Sequence, residues 1–247
     1  MATRDDILAF ADELLDVSSY PDYGPMGLQV AGAERVEKLA CGVSASRELF
    51  RRSAEAGAQM VLVHHGLFWE RDRREIGPVM RERLRALFDH DLSLVAYHLA
   101  LDAHPEVGNN ANVARELGIG ERQRFTEWGW GGRIEKPLSI AGFAERVEKL
   151  TGRAPLVFPY GPEEVDRVAI LTGGAARYVA AAADERYDLF LTGEAAEPTK
   201  HAAKEAGIHF VAAGHYATET SGVQALARRI AEKLDVEWEF IDLPNPV

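Results

Sequence analysis

The stretch Met60-Val61-Leu62-Val63-His64-His65-Gly66 decides how this chain is read. Residues 59–63 are rich in Val, Leu and Met and describe a strand that stops at two imidazoles and a glycine. Upstream, residues 46–57 have helical spacing and residues 38–43 form another apolar strand. Downstream, residues 78–90 make an amphipathic helix with arginines on its outer face, and residues 92–98 a third strand. Residues 108–117 are helical, with Asn109 or Asn110 able to cap them. Strand and helix in alternation mean a largely parallel sheet covered by helices. Ahead of this run, Thr3 and Asp6 form a capping pattern before Ile7, Phe10, Ala11, Leu14 and Leu15, a helix that ends before Pro21. Residues 22–27 are a turn-rich loop.

The alternation breaks at residues 118–162, which hold Trp128-Gly129-Trp130-Gly131-Gly132, one amphipathic helix, Pro155 and Pro159. This segment reads as an edge strand and helix separating two halves. No basic residues interleave with the tryptophans, so the Trp-Gly-Trp element reads as hairpin and packing surface rather than as a base-stacking platform. The alternation then restarts and runs to a last strand over residues 237–241. The fold class is therefore α/β, as two similar halves from an internal duplication, with mostly parallel sheets facing a central cleft. The expected divisions are 1–120 for the first half, 121–165 for the connecting segment and 166–247 for the second half.

The two halves match in chemistry as well as rhythm. Leu94-Val95-Ala96-Tyr97-His98 is followed by Asp102, and Phe210-Val211-Ala212-Ala213-Gly214-His215 by Glu219, so each half has a strand, a His and a carboxylate four residues on. In open α/β sheets ligands collect at the carboxyl ends of the strands, where these residues fall. His64, His65, His98 and His215 all follow apolar strands. Neutral imidazole with carboxylate is a divalent-metal donor set, and without thiolate it suits Zn, Mn, Fe, Co or Ni alike. His215 and Glu219 suit one helix turn, and Glu219 is the candidate to bridge two ions. His90, His201 and His209 read as structural, and His104 has no clear assignment. Gly173-Gly174 reads as a tight turn rather than a phosphate cradle, because no Walker lysine accompanies it. Glu194 is either a partner of the metal ligands or a helix N-terminal carboxylate.

Composition bounds the rest. The chain has 247 residues, and 28 Lys and Arg against 39 Asp and Glu leave a net charge of −11 with His neutral. That balance argues against nonspecific nucleic-acid binding, which needs Lys and Arg to displace counterions, and against an anionic membrane surface. The single cysteine, Cys41, excludes a disulfide framework and any multi-cysteine cluster, and its strand context makes it a core residue. With no apolar leader and no run long enough to span a bilayer, a cytoplasmic protein is expected.

The motifs Gly27-Leu28-Gln29-Val30, Val63-His64-His65-Gly66, His98-Leu99-Ala100-Leu101-Asp102-Ala103-His104, Thr192-Gly193-Glu194 and Gly214-His215-Tyr216-Ala217-Thr218-Glu219 resemble the GTP cyclohydrolase I type 2 homologue family, the Nif-three-like proteins, in its short form. The resemblance spans essentially the whole chain, in order. It implies a dinuclear centre in which His65 and Asp102 hold one metal, His64 and His215 the other, and Glu219 touches both, with His98 in or beside the pocket. It also implies a hexameric ring, a trimer of dimers, with sites facing an internal cavity. One departure is Met26, where the family usually has Asn. Two divalent ions acidify a water and stabilise charge on oxygen, which favours hydrolysis, and His98 is the candidate proton shuttle. The expected activity is hydrolysis of an anionic small molecule, a nucleotide or another phosphorylated compound, with GTP ring opening as the reaction the family name implies. The alternative is a metal-binding scaffold or metal-handling protein with little turnover. A third reading, a partner-binding adaptor, would rest on Trp128, Trp130 and the arginine-rich helix near Arg81.

Overall fold

A computed structural model describes residues 2–247. β1 (Ala2–Thr3) leads into α1 (Arg4–Leu15). The Thr3 hydroxyl accepts from the Asp6 amide and the Asp6 carboxylate accepts from the Thr3 amide, so the capping box forms and leaves Ile7, Ala11 and Leu15 as the buried stripe. β2 (Gly27–Val30), β3 (Arg35–Val36) and β4 (Lys38–Ser44) follow. Next come α2 (Arg47–Glu55), β5 (Met60–His65), α3 (Pro78–Phe88) and β6 (Ser93–Ala96). The Ser46 hydroxyl caps α2 by accepting from the Leu49 amide. Pro78 begins α3, where its missing N–H leaves no bond unmade. β5 runs past the apolar residues to include both histidines, because its ladder with β4 continues to the Ser44↔His65 pair.

The chain goes on through α4 (Leu99–Ala103), α5 (Asn109–Glu116), β7 (Ile119–Phe125), β8 (Gly129–Ser139), α6 (Ile140–Thr151) and β9 (Leu156–Pro159). It then forms β10 (Glu164–Ile170), α7 (Val179–Asp184), β11 (Leu189–Thr192), α8 (Thr199–Ala206), β12 (His209–Ala212), α9 (His215–Leu234) and β13 (Glu237–Phe240). α5 departs from its expected capping. Gly108 occupies the cap position, and Asn109 and Asn110 lie inside the helix, fully buried, with their amides bonded to other segments.

Two compact units result. One runs to Leu101 and takes in Gly222–Leu243; the other holds Asp102–Ser221 and Pro244–Val247. The first has a five-stranded sheet, ordered β13-β4-β5-β6-β2, in which β13, β4, β5 and β6 are parallel and β2 is an antiparallel edge. The second has a six-stranded sheet, ordered β7-β8-β10-β11-β12-β9. Its β10, β11 and β12 are parallel, flanked by antiparallel β8 and β9. Three adjacent parallel strands thus recur in both units, and the α/β class stands. The second sheet is more antiparallel than the alternation predicts.

The expected divisions at 120 and 165 differ from these units. Residues 121–165 are not a connector, because β8, 11 residues long, pairs with β10 along Glu164–Ile170 and carries β7 with it. The last strand returns to the first unit, pairing Trp238 with Leu39 and Phe240 with Cys41. Each pairing satisfies backbone groups that a buried strand cannot leave open. Val61, Val63, Leu94 and Phe50 lie in the first unit's core, and Val168, Leu189 and Phe143 in one of the second's. Cys41 is fully buried, and burial pushes its thiol well above the ordinary range, as a core role requires. The Trp-Gly-Trp element does start the return strand of a hairpin. Pairing, however, brings Arg124 opposite Trp130, with its guanidinium 4.3 Å from the indole centroid. The basic residues absent beside the tryptophans in sequence are supplied by the neighbouring strand. No helix among the described residues is long and apolar enough to cross a membrane.

Candidate metal centre

In the first unit β5 and β6 are adjacent and parallel, so the residues at their carboxyl ends converge. The ring centroids of His64 and His65 are 4.7 Å apart, those of His64 and His98 4.8 Å, and those of His65 and His98 5.5 Å. One nitrogen from each ring lies within 4.8 Å of the others. His64 is fully buried, with Nδ1 2.9 Å from the Tyr97 carbonyl oxygen. A carbonyl only accepts, so Nδ1 carries the proton and the neutral ring has its lone pair on Nε2. His65 Nδ1 meets the Ser44 hydroxyl at 3.0 Å. His98 Nδ1 lies 2.8 Å from Asp22 Oδ1, and the Trp69 ring stands edge-on to His98 at 5.1 Å. Burial opposes ionisation of Asp22, but His98 and the amides of Leu99 and Tyr23 outweigh it and hold the carboxyl below its ordinary range.

In the second unit His215 opens α9 and Glu219 follows one turn later, with Nε2 to Oε2 at 3.2 Å. Glu194 accepts from His215 Nδ1 on the other side of the ring. Burial lowers the His215 pKa, but the Glu219 and then the Glu194 carboxylates prevail and push it up to about 9. The buried Asp102 accepts from Asn109 Nδ2 at 2.9 Å, and one oxygen each of Asp102 and Glu219 lie within 4.8 Å of each other.

Glycine makes this packing feasible. Gly173 has φ of +68°, and a Cβ there would stand 2.2 Å from Glu219 Oε1. At Gly193 a Cβ would meet the His215 Cα at 2.6 Å. The Gly173 carbonyl accepts from the Gly193 amide at 2.8 Å, the Glu194 amide at 3.1 Å and the Thr192 hydroxyl at 3.0 Å. Gly173-Gly174 therefore acts as a turn that holds Thr192-Gly193-Glu194. Glu194 lies outside a helix start and is a partner of His215.

Of the other histidines, His209 is buried and bonds the Pro162 carbonyl at 2.7 Å, a structural role. His104 Nδ1 accepts from the amides of Glu106 and Val107, closing a turn. Sequence reasoning passes over Asp22, Trp69 and Asn109. Asp22 sits in a turn-rich loop where aspartate is common for conformational reasons, and Asn109 reads as a cap. Gln29, within a motif already singled out, donates to the Pro25 carbonyl and accepts from the Leu67 amide, tying two loops together.

The donors suit a divalent cation. In the first unit His64, His65 and His98 each offer a ring nitrogen, with His64 Nδ1 bonded to a carbonyl and Nε2 the donor atom of its neutral ring; in the second, His215 and the carboxylates of Asp102 and Glu219 offer an imidazole nitrogen and hard oxygens.

Residues 2–246 match the family model Duf34/NIF3 (NGG1p interacting factor 3). The chain is 44% identical over 239 residues to a GTP cyclohydrolase 1 type 2 homolog of Escherichia coli (strain K12), covering 95% of this chain and 96% of that relative. Among solved structures it is similar to protein ybgI, described as of unknown function, with a TM-score of 0.96, 41% identity and full coverage of both chains. TTHA1606 from Thermus thermophilus matches with a TM-score of 0.93 and 35% identity, again over 100% of each chain.

Proposed function

The chain belongs to the Duf34/NIF3 family, and from that premise we propose that it is a dinuclear metal-dependent hydrolase of a nucleotide or another phosphorylated small molecule. His64, His65, Asp102, His215 and Glu219 are the proposed ligands. The observation that carries this reading is the clustering of donor atoms within each unit: ring nitrogens of His64, His65 and His98 lie within 4.8 Å of one another, and His215 Nε2 and an Asp102 oxygen stand against the Glu219 carboxylate. Two divalent ions, when bound, acidify a water and stabilise charge on the attacked and departing oxygens. The remaining work falls to the chain's own residues. Glu194 orients His215, Asn109 orients Asp102, and His98 accepts a proton at Nε2. The net charge of −11 makes the cations the natural point of entry for an anionic substrate. The names of the relatives favour guanine-ring opening within this class. A hexameric ring, a trimer of dimers, and a cytoplasmic location complete the proposal.

The deciding experiment is elemental analysis of untagged protein, followed by turnover assays on nucleotides and phosphoesters with defined Mn, Zn, Fe, Co or Ni. Two ions per chain, with turnover that Glu219→Gln abolishes while the fold survives, is the expected result. Stable occupancy with no turnover across the panel would favour the metal-handling alternative. Fewer than about one ion per chain after reconstitution would overturn the ligand set.

A further inference from the structure

We infer that Asp22 is a positioning residue for His98: it locks the imidazole as the Nδ1–H tautomer, so that Nε2 presents its lone pair as the proton acceptor of the hydrolysis. The inference rests on the proposed hydrolase reading for the role of His98, but the tautomer itself follows from geometry alone.

The Asp22 side chain is 2% exposed and sits in the loop before β2. Its carboxylate meets three N–H groups. Oδ1 accepts from His98 Nδ1 at 2.8 Å and from the Tyr23 amide at 2.6 Å, and Oδ2 accepts from the Leu99 amide at 2.8 Å. Both amides are fixed donors, so both oxygens already act as acceptors. A lone pair on His98 Nδ1 would face an oxygen lone pair at bonding distance, which is repulsive. The proton must therefore lie on Nδ1, and the neutral ring's free pair on Nε2.

The surroundings hold this arrangement in place. The Tyr23 carbonyl accepts from the Glu70 amide at 2.7 Å and Gln29 Nε2 donates to the Pro25 carbonyl at 2.9 Å, so the Asp22 loop is tied on both sides. Trp69 stands perpendicular to His98, and the rings of His64 and His65 lie 4.8 and 5.5 Å away. The ring thus has little freedom to turn and exchange its nitrogens. A carboxylate that sets the tautomer of a proton-accepting imidazole leaves the basic nitrogen in the correct state without taking the proton itself.

The test uses the full-length chain loaded with Zn²⁺, with histidine labelled with ¹⁵N and the His98 signals assigned by their loss in His98→Gln. In the wild type, Nδ1 should carry the proton and Nε2 should not. In Asp22→Ala, the Nδ1–H form should fall to a minor share while zinc content stays the same. The same variant should lower kcat for hydrolysis of p-nitrophenyl phosphate by about 10²-fold, the scale of one acid–base contribution, with KM held. An Nε2–H tautomer in the wild type overturns the inference even if Asp22→Ala does not fold. So does an unchanged tautomer in a folded Asp22→Ala. Wild-type protein that shows the Nδ1–H tautomer but neither takes up zinc nor turns over any phosphoester or nucleotide would sink the hydrolase reading and leave the Asp22 geometry standing.

Discussion

The groups standing behind the candidate ligands set how those side chains are presented. Glu194 is the clearest case, because its carboxylate receives the Nδ1 proton of His215 and so leaves Nε2, which faces Glu219, as the nitrogen the proposed cation would take. Glu194→Gln should weaken metal binding by about 10- to 100-fold, the usual cost of losing such a partner, measurable by competition with a chelating dye. The raised pKa of His215, about 9, has a sign that can be checked. A folded value above the unfolded one of 6.5 contributes stability that is complete below about pH 6.5 and is lost as pH rises through about 9. The difference in urea midpoint between metal-free wild type and Glu194→Gln should therefore shrink over that window. Metal binding must expel the same proton, so loading at pH 7 should release close to one proton from this site, detectable in a weakly buffered solution. Gly173→Ala is a steric test. With φ of +68° and a Cβ 2.2 Å from Glu219 Oε1, it should displace the carboxylate and lower metal occupancy while the far-ultraviolet spectrum stays unchanged.

At the scale of elements, the informative case is α5. Its buried Asn110 donates to the carbonyls of Asp102 and Trp128 and accepts from the Thr172 amide, so one side chain joins a helix, a hairpin and a strand end. Asn110→Ala would leave those groups open and should cost about 2–3 kcal/mol, seen as a lower urea midpoint at unchanged slope. The Asn109-Asn110 pair illustrates why part of the site is hidden in the sequence. An asparagine before a helix is ordinarily a cap, and only the packing of α5 against β8 and β10 turns these two inward. The strands leave a plainer mark in the sequence. The apolar run at residues 60–63 announces β5, whereas β2, Gly27–Val30, is short and half polar and becomes a strand only through pairing with β6.

At the scale of the whole chain, the outcome depends on β13. The last strand lies beside β4 in the first sheet, and Arg228 of α9 covers Trp238 at 5.8 Å. Truncation after Leu234 would open the β4 edge and strip cover from Leu39 and Cys41. The truncated chain should aggregate or unfold at lower urea concentration than the full chain, with light scattering as the readout. Two bound divalent ions would change the net charge from −11 to about −7, because each ion contributes +2.

Local pattern in the chain set the α/β class, the helices and strands around the apolar runs, and the residue types of the candidate ligands. These follow from periodicity over one or two turns and from the short repeat of strand, His and carboxylate. Long-range packing chose the membership of each sheet, the tautomer of His64, and the roles of Asp22, Asn109 and Glu194. The reason is that a hydrogen-bond partner or a neighbouring strand is selected across tens to hundreds of residues. Tyr97 is 33 positions from His64, Asp22 is 76 from His98, and Lys38 is 201 from its ion-pair partner Glu239 on β13. Periodicity reports which face of an element is apolar, but only the folded backbone brings the Asp22 carboxylate to the His98 ring.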